Sequence, residues 1–377
     1  MSDTTQVAVS WAAALGWRLE RHLLAPVGDG SAARVVRRLG AVLSMDESLA
    51  ALAVAARSTT AGPGALAQAL ADGEVITGFT FRGAMHHLAP EDGGVYLGLR
   101  AAGRQWERTS WVDYYRLRPE DWPAFRAAVR EALHAGPLTL PELGDALARH
   151  AAYRHLKPVF DDGAGTLVKP LSWQGDLSLG GTRDGQRLVQ RLDDNPRWAG
   201  IPPLDEAGPQ AIRHYLRTYG PATTDHVHHW LGDNLSAGRK RLGGWLAGLA
   251  DELVPVDVEG TTAHVLAEDA ESLAAGRPSE AVTLLPGHDQ WVMGVGTHDP
   301  HVTPPAHRDA VTRKANPVLV GGVVRGTWTL ARPAKDGSRR VTVTWLDDTP
   351  GSATALAQEV QRLATALGQD LALAPAG

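Results

Sequence analysis

The 377-residue chain contains no cysteine. Disulfide frameworks, thiolate metal sites and thiol nucleophiles are thereby excluded together, and the composition fits a reducing cytoplasm. Long apolar runs are missing as well. No stretch approaches the ~20 consecutive apolar residues of a membrane span, and the first residues do not read as a signal peptide. Nor does one sign of charge prevail: Lys and Arg number 37 against 42 Asp and Glu, a formal net charge of −5. The global basic excess common in nucleic-acid binders is absent, so any attraction for a polyanion has to be local. What is left is the make-up of an ordinary globular protein, 44% hydrophobic and 21% charged.

Local positive charge does occur. Arg34, Arg37 and Arg38 cluster in one run; Arg100, Arg104, Arg108, Arg116 and Arg118 form a second, interleaved with Trp106, Trp111, Tyr114 and Tyr115. Cations beside flat rings suit phosphates and bases. A solvated helix face over a few core aromatics gives the same pattern, and the sequence leaves both readings open.

Two segments in the middle echo one another, "AGPLTLPELGDAL" (135–147) and "YGPATTDHVHHWL" (219–231). Each follows an amphipathic stretch, at about 120–134 and 206–219, and each opens on Gly-Pro, which stops that helix. Thr139 and Thr223 then stand where a hydroxyl can cap the next helix. A third helical stretch comes next, at about 163–173 and 236–249. Paired strand runs complete each copy: "DLSLGG" with "QRLVQRL", and "ELVPVDV" with "TAHVL". Helix, helix, helix, hairpin is the order of a winged helix. The residues before this pair read as helices at about 5–24, 31–43, 47–57 and 63–72, followed by a strand pair bent at Gly83. Beyond 275, short β runs at 281–285, 291–295, 317–329 and 340–346 precede a closing helix at about 353–367. The expected class is therefore α+β, mainly helical. Its parts are an N-terminal lobe (1–118), two winged helices (119–200 and 201–275) and a C-terminal β-containing lobe (276–377).

Several stretches together resemble the winged-helix DNA glycosylases of the AlkZ and YcaQ type. They are "RRLGAVLSMDESLAALAVAARS" (37–58), "FRGAMHHLAP" (81–90), the tandem repeat, "LLPGHDQWVMG" (284–294) and "GGVVRGTWTL" (321–330). The resemblance implies a compact C-shaped body that acts on double-stranded DNA without a cofactor. It also implies a catalytic signature, Gln-x-Gln or Gln-x-Asp, just after Leu39-Gly40. In this chain those positions hold Leu43 and Met45. The nearest polar groups are Ser44 and Asp46, which become the catalytic candidates, with Leu43, Met45 and His86 lining a lesion pocket. Asp46 also reads as the cap of a helix beginning near Glu47, a role compatible with catalysis because a capping carboxylate is held in place.

The remaining motifs sort by chemistry. Arg34, Arg37 and Arg38 precede the altered signature and suit DNA phosphates beside the reacting sugar. The first hairpin region carries Trp173, Gln174, Arg183 and Arg187, residue types that a β wing can bring to a minor groove. "DHVHHW" (225–230) puts Asp225 and His229 on one helix face, but two ligands with no second motif such as His-Glu-x-x-His make no metal site. Asp289 matches an acidic residue of the resembled stretch, where a structural role is equally open. The reading is a cytoplasmic, nucleoid-associated, monomeric and monofunctional DNA glycosylase that needs neither metal nor membrane. Its implied partner is duplex DNA carrying bulky alkylpurine adducts, N7-guanine adducts of a genotoxic natural product, in self-resistance. The alternatives are a winged-helix lesion binder without chemistry and, behind it, a protein-interaction scaffold.

Overall fold

The computed structural model describes residues 7–233 and 237–374. They fold into two compact units. One takes the described residues up to Gln68, Ile212–Trp230 and those from Gly243 onward; the other takes Ala69–Ala211 and the described part of Leu231–Leu242. The class is α+β with helix in excess of strand. Among the described residues, no helix is long and apolar enough to cross a membrane.

Local chemistry sets the helix starts in the first unit. Ser10, Ser31, Asp46 and Ser352 each accept a backbone N–H from the first turn of the helices Trp11–Arg21, Ala32–Leu39, Glu47–Ala55 and Ala353–Leu367. Two boundaries differ from expectation. The helix expected from about residue 5 begins only at Trp11, because Val7–Val9 is extended and pairs in parallel with Leu253–Val258. With Thr261–Leu266 these strands form a three-stranded sheet over a core of Trp11, Trp17, Val256, Val258, Ala263 and Val265. The helix expected to run to 43 stops at Leu39, since Gly40 turns to φ 74°, where a side chain would be strained. Residues 40–46 are consequently free of helical geometry.

The C-terminal part of this unit is a five-stranded sheet in the order Val282–Leu284, Asn316–Val320, Val323–Leu330, Arg339–Trp345, Leu371–Leu373. The β run expected at 291–295 is instead a short helix, Gln290–Met293, because Asp289 caps it through Trp291 N at 2.8 Å. Two indoles lock the distinctive stretches together. Trp291 Nε1 donates to Gly322 O at 2.9 Å, and Trp328 Nε1 donates to Leu285 O at 2.8 Å.

The repeated middle keeps its anticipated order. The first copy runs Trp122–Ala132, Leu140–Ala148, Val168–Trp173 and the hairpin Leu177–Arg183/Gln186–Arg191, with a 3-10 turn Ala151–Leu156 and a short helix Lys157–Asp161 inserted before Val168 that the sequence reading did not anticipate. The second runs Leu204–Tyr219, Thr224–Val227, Arg239–Gly248 and the hairpin Leu253–Val258/Thr261–Leu266. Thr139 and Thr223 both cap, each within a reciprocal capping box. The copies share a further detail. The residues just after Gly-Pro pair with the returning hairpin strand, Leu138 with Val189 in one and Ala222 with His264 in the other. In the second unit the first hairpin also meets the antiparallel pair Ile76–Phe79/Met85–Leu88, through Thr77 and Leu179.

One buried ion pair fixes the helix Glu47–Ala55. Arg57 donates through Nη1 and Nη2 to the two carboxylate oxygens of Asp289, at 2.9 and 2.5 Å, and both side chains are wholly inaccessible. Arg57 Nη1 also donates to Ala53 O at 2.9 Å, and Arg362 Nη1 to Ala55 O at 2.8 Å, so two cations close the carboxyl end of the helix. Upstream, Thr218 Oγ1 donates to Arg38 O at 2.7 Å and Tyr219 OH to Leu39 O at 3.2 Å, holding the chain before Gly40. Removing one partner of such a pair strands a buried charge. Asp289→Ala should lower unfolding free energy by about 3–5 kcal/mol in urea titration, and replacing Arg57 by Met in the same chain should recover much of the loss.

Candidate active site

The altered signature is an extended segment that leads into a helix N-terminus. The extended run is short, Val42–Leu43, and the chain bends at Met45 and Asp46 before the helix begins. Leu43 and Met45, together with Val42, Asp46, Leu49 and Ala53, line a cavity of about 230 Å³; Pro286–Gln290 and Lys314 complete the lining. Met45 is 60% exposed, a large apolar side chain facing solvent at the cavity. Ser44 does not line the cavity. It is 1% exposed, and its hydroxyl has no hydrogen-bond partner among the described residues. Ser44 and Asp46 are therefore not brought together: the strand ends at Leu43 and the chain bends at Met45 and Asp46, so that Ser44 is buried while Asp46 stays exposed at the cavity.

Asp46 is the helix cap. Its Oδ1 accepts from Ser48 N at 3.0 Å, Leu49 N at 3.2 Å and Ser48 Oγ at 2.6 Å. All three bonds fall on one oxygen. The Ser48 hydroxyl, the backbone donors and the nearby Lys314 ammonium hold the carboxyl below its ordinary value of 3.8. The group is therefore ionised at neutral pH, oriented by its own helix, with Oδ2 left for a second task. Lys314 stands at φ 70°, just past the helix Arg308–Thr312, in a conformation that glycine usually fills. Sequence reading missed it, because a lysine at a helix end carries no signal of its own. The opposite wall is the turn Pro286–Asp289, where Gly287 N donates to Asn316 Oδ1 at 2.7 Å.

The other anticipated residues fall in varied settings. Arg34 is exposed on Ala32–Leu39, 3.9 Å from Asp29, and Arg37 is exposed on the same helix. Arg38 turns inward, its Nε donating to Arg21 O at 2.6 Å, so it braces the helix instead of offering its whole guanidinium to a phosphate. His86 belongs to the second unit and is not among the cavity's lining residues. Its Nδ1 lies 3.1 Å from Thr80 Oγ1 and 3.2 Å from Ala84 O, and burial lowers its pKa to about 3. The imidazole is thus neutral and locally bonded.

Two residues expected on the wing lie just before it. Trp173 is 1% exposed and ends the helix Val168–Trp173, so it lies before the hairpin and beneath the surface. Gln174 follows it, its Nε2 donating to Pro170 O at 3.2 Å. Arg183 does stand on the hairpin, exposed and paired with Glu142; Arg187, on the returning strand, is half-buried.

An ionised carboxylate at a helix N-terminus, in a cavity with apolar walls, on a scaffold of repeated helix–hairpin units, fits a hydrolase acting on a nucleic-acid substrate. The comparisons agree. A family model described as DNA glycosylase AlkZ-like matches residues 36–366, and the chain belongs to that family of DNA glycosylases. Among its relatives is the interstrand DNA cross-link repair glycosylase of Streptomyces sahachiroi, 36% identical over 326 residues, which are 85% of this chain and 87% of that protein. The solved structure of the Streptomyces sahachiroi DNA glycosylase AlkZ superposes with a TM-score of 0.88 at 32% identity, covering 97% of this chain and 100% of that one.

Because asparagine caps nearly as well as aspartate, Asp46→Asn should change stability by less than about 0.5 kcal/mol, whereas Asp46→Ala should cost about 1 kcal/mol in denaturant titration. The depressed pKa fixes the sign with pH. The carboxylate's contribution is present above the unfolded-state pKa and fades as pH falls through the lower folded value.

Proposed function

We propose that this glycosylase excises bulky alkylated purines, N7-guanine adducts, from duplex DNA, with Asp46 as its catalytic carboxylate. The observation that carries the reading is the placement of Asp46. One oxygen is engaged by the helix start and the other is left at a cavity with apolar side chains. N7 alkylation leaves the guanine cationic. As the C1′–N9 bond breaks, its electron pair goes to the base, which departs neutral, and the sugar becomes oxocarbenium-like. Little acid help is needed. Asp46 stabilises the positive charge at the sugar and orients a water whose oxygen bonds to C1′, its proton passing to the carboxylate or to solvent.

The apolar residues at the signature positions favour adduct size over base polarity. Leu43, Met45, Leu49 and Ala53 offer a hydrophobic adduct a surface that water does not compete for, and an unbranched methionine adapts to irregular shapes. Arg34 and Arg37, exposed one helix upstream, supply phosphate contacts, and Arg183 supplies one from the hairpin by exchanging Glu142 for DNA. The name of the Streptomyces relative, an interstrand cross-link repair enzyme, supports large lesions as substrates here; the setting that goes with this reading is self-resistance to a genotoxic natural product.

The test is single-turnover incubation with duplex carrying a defined bulky N7-guanine adduct, followed by alkali to reveal abasic sites. Asp46→Asn should slow base release about 10²–10³-fold with duplex affinity unchanged. Since the carboxyl is ionised well into the acid range, the wild-type rate should stay level from pH 8 to about 5. Binding of the adducted duplex with no abasic product would instead identify a lesion binder without chemistry. Replacing Leu43 and Met45 together by glutamine should weaken binding of an aromatic adduct by about tenfold or more, with a smaller effect on a methyl adduct.

A further inference from the structure

Among the described residues of the second unit is a cation buried without a carboxylate partner. Arg100, on the helix Pro90–Ala101, is only 7% exposed, and its Nε and Nη1 have no hydrogen-bond partner among the described residues. Its guanidinium lies over the Trp173 ring, 4.9 Å from the centroid, on an indole that is itself buried. Burial lowers its pKa, and no carboxylate offsets that effect. Lys169 stands alongside. Its Nζ is 3.4 Å from Gly83 O and 5.4 Å from the Phe79 ring centroid, and its pKa falls through burial and then through the charge of Arg100.

Two cations that feel each other's charge, one of them buried, destabilise the free protein unless something negative comes between them or beside them. The place for it is visible at Gly83. This residue has φ 73° in the turn between Ile76–Phe79 and Met85–Leu88. A methyl group built there would lie 3.3 Å from Arg100 Nη2 and would meet no other atom within 4 Å. The space beside Gly83 is thus bordered by the guanidinium edge, with the Lys169 amine bonded to the carbonyl of the same residue.

We infer that Arg100, Lys169 and the Gly83 turn form a binding site for a phosphodiester of the DNA backbone. Trp173 serves it as the platform that sets the plane of the guanidinium. A tetrahedral oxyanion accepts from a guanidinium edge and an ammonium at once, and arginine presents that edge with little loss of freedom. The inference rests on DNA as the polymer bound; it does not depend on which base is excised or on Asp46.

The test therefore uses undamaged duplex. Arg100→Met and Lys169→Met are each titrated with duplex across a range of salt, and their thermal midpoints are measured without DNA. In each variant the slope of log K against log salt should become shallower by about 0.9, the signature of one lost phosphate contact. The midpoint of Arg100→Met should stay level or rise, since an unpaired buried charge is replaced by an apolar chain of similar shape. Lys169, only half-buried, provides the same slope reading if Arg100→Met folds poorly. Slopes unchanged in the folded variants overturn the inference. If inorganic phosphate raises the wild-type midpoint while the slopes stay unchanged, the site takes free phosphate and the DNA assignment is equally overturned.

Discussion

The pair between Arg57 and Asp289 is the constraint on which the site depends. It joins the end of the helix that begins at Asp46 to the turn forming the opposite wall of the cavity. A charge pair with no solvent access is stable only when both partners keep their geometry, so helix and turn cannot move independently. The surroundings reinforce it. His22 packs edge-on to Tyr219 and Trp291, each at 4.9 Å, and burial together with the charge of Arg57 keeps its ring neutral. Tyr219 in turn holds Leu39 O, while Trp291 holds Gly322 O. A network of aromatic donors thus anchors both chain segments that reach the cavity.

Electrostatic roles divide along burial. Exposed pairs such as Arg183–Glu142 contribute little to stability and are readily exchanged for a phosphate. Asp46 is also exposed, yet it is ordered, because backbone donors at the helix start and the Ser48 hydroxyl converge on one of its oxygens. Arg100 is the opposite case, a buried cation with no carboxylate partner among the described residues, where Arg57 has Asp289 and the fully buried Arg18 has the carbonyls of Gly220 and Pro221. Acidic overall composition is no obstacle to binding a polyanion when cations are placed this selectively.

Much of the fold was legible along the chain because local chemistry writes it there. The Gly-Pro breaks and the capping threonines, Thr139 and Thr223, marked both repeats, and each cap forms with its own box. Short apolar stretches were harder. Val7–Val9 and 291–295 carry no period long enough to separate strand from helix, and distant partners decided them: Leu253–Val258 for the first, the Asp289 cap for the second.

The sequence by itself determined the family, the repeat, the helix caps and the presence of Asp46 beside two apolar residues at the signature positions. These are matters of order and spacing, which local backbone preferences convert directly into structure. Only the tertiary structure decided which neighbours of Asp46 face the cavity. It turned Ser44 inward, brought Lys314 from a distant helix end, and placed Trp173 under Arg100 instead of on a wing. Burial and side-chain direction depend on what packs across from each element, and that partner lies tens to hundreds of residues away in sequence.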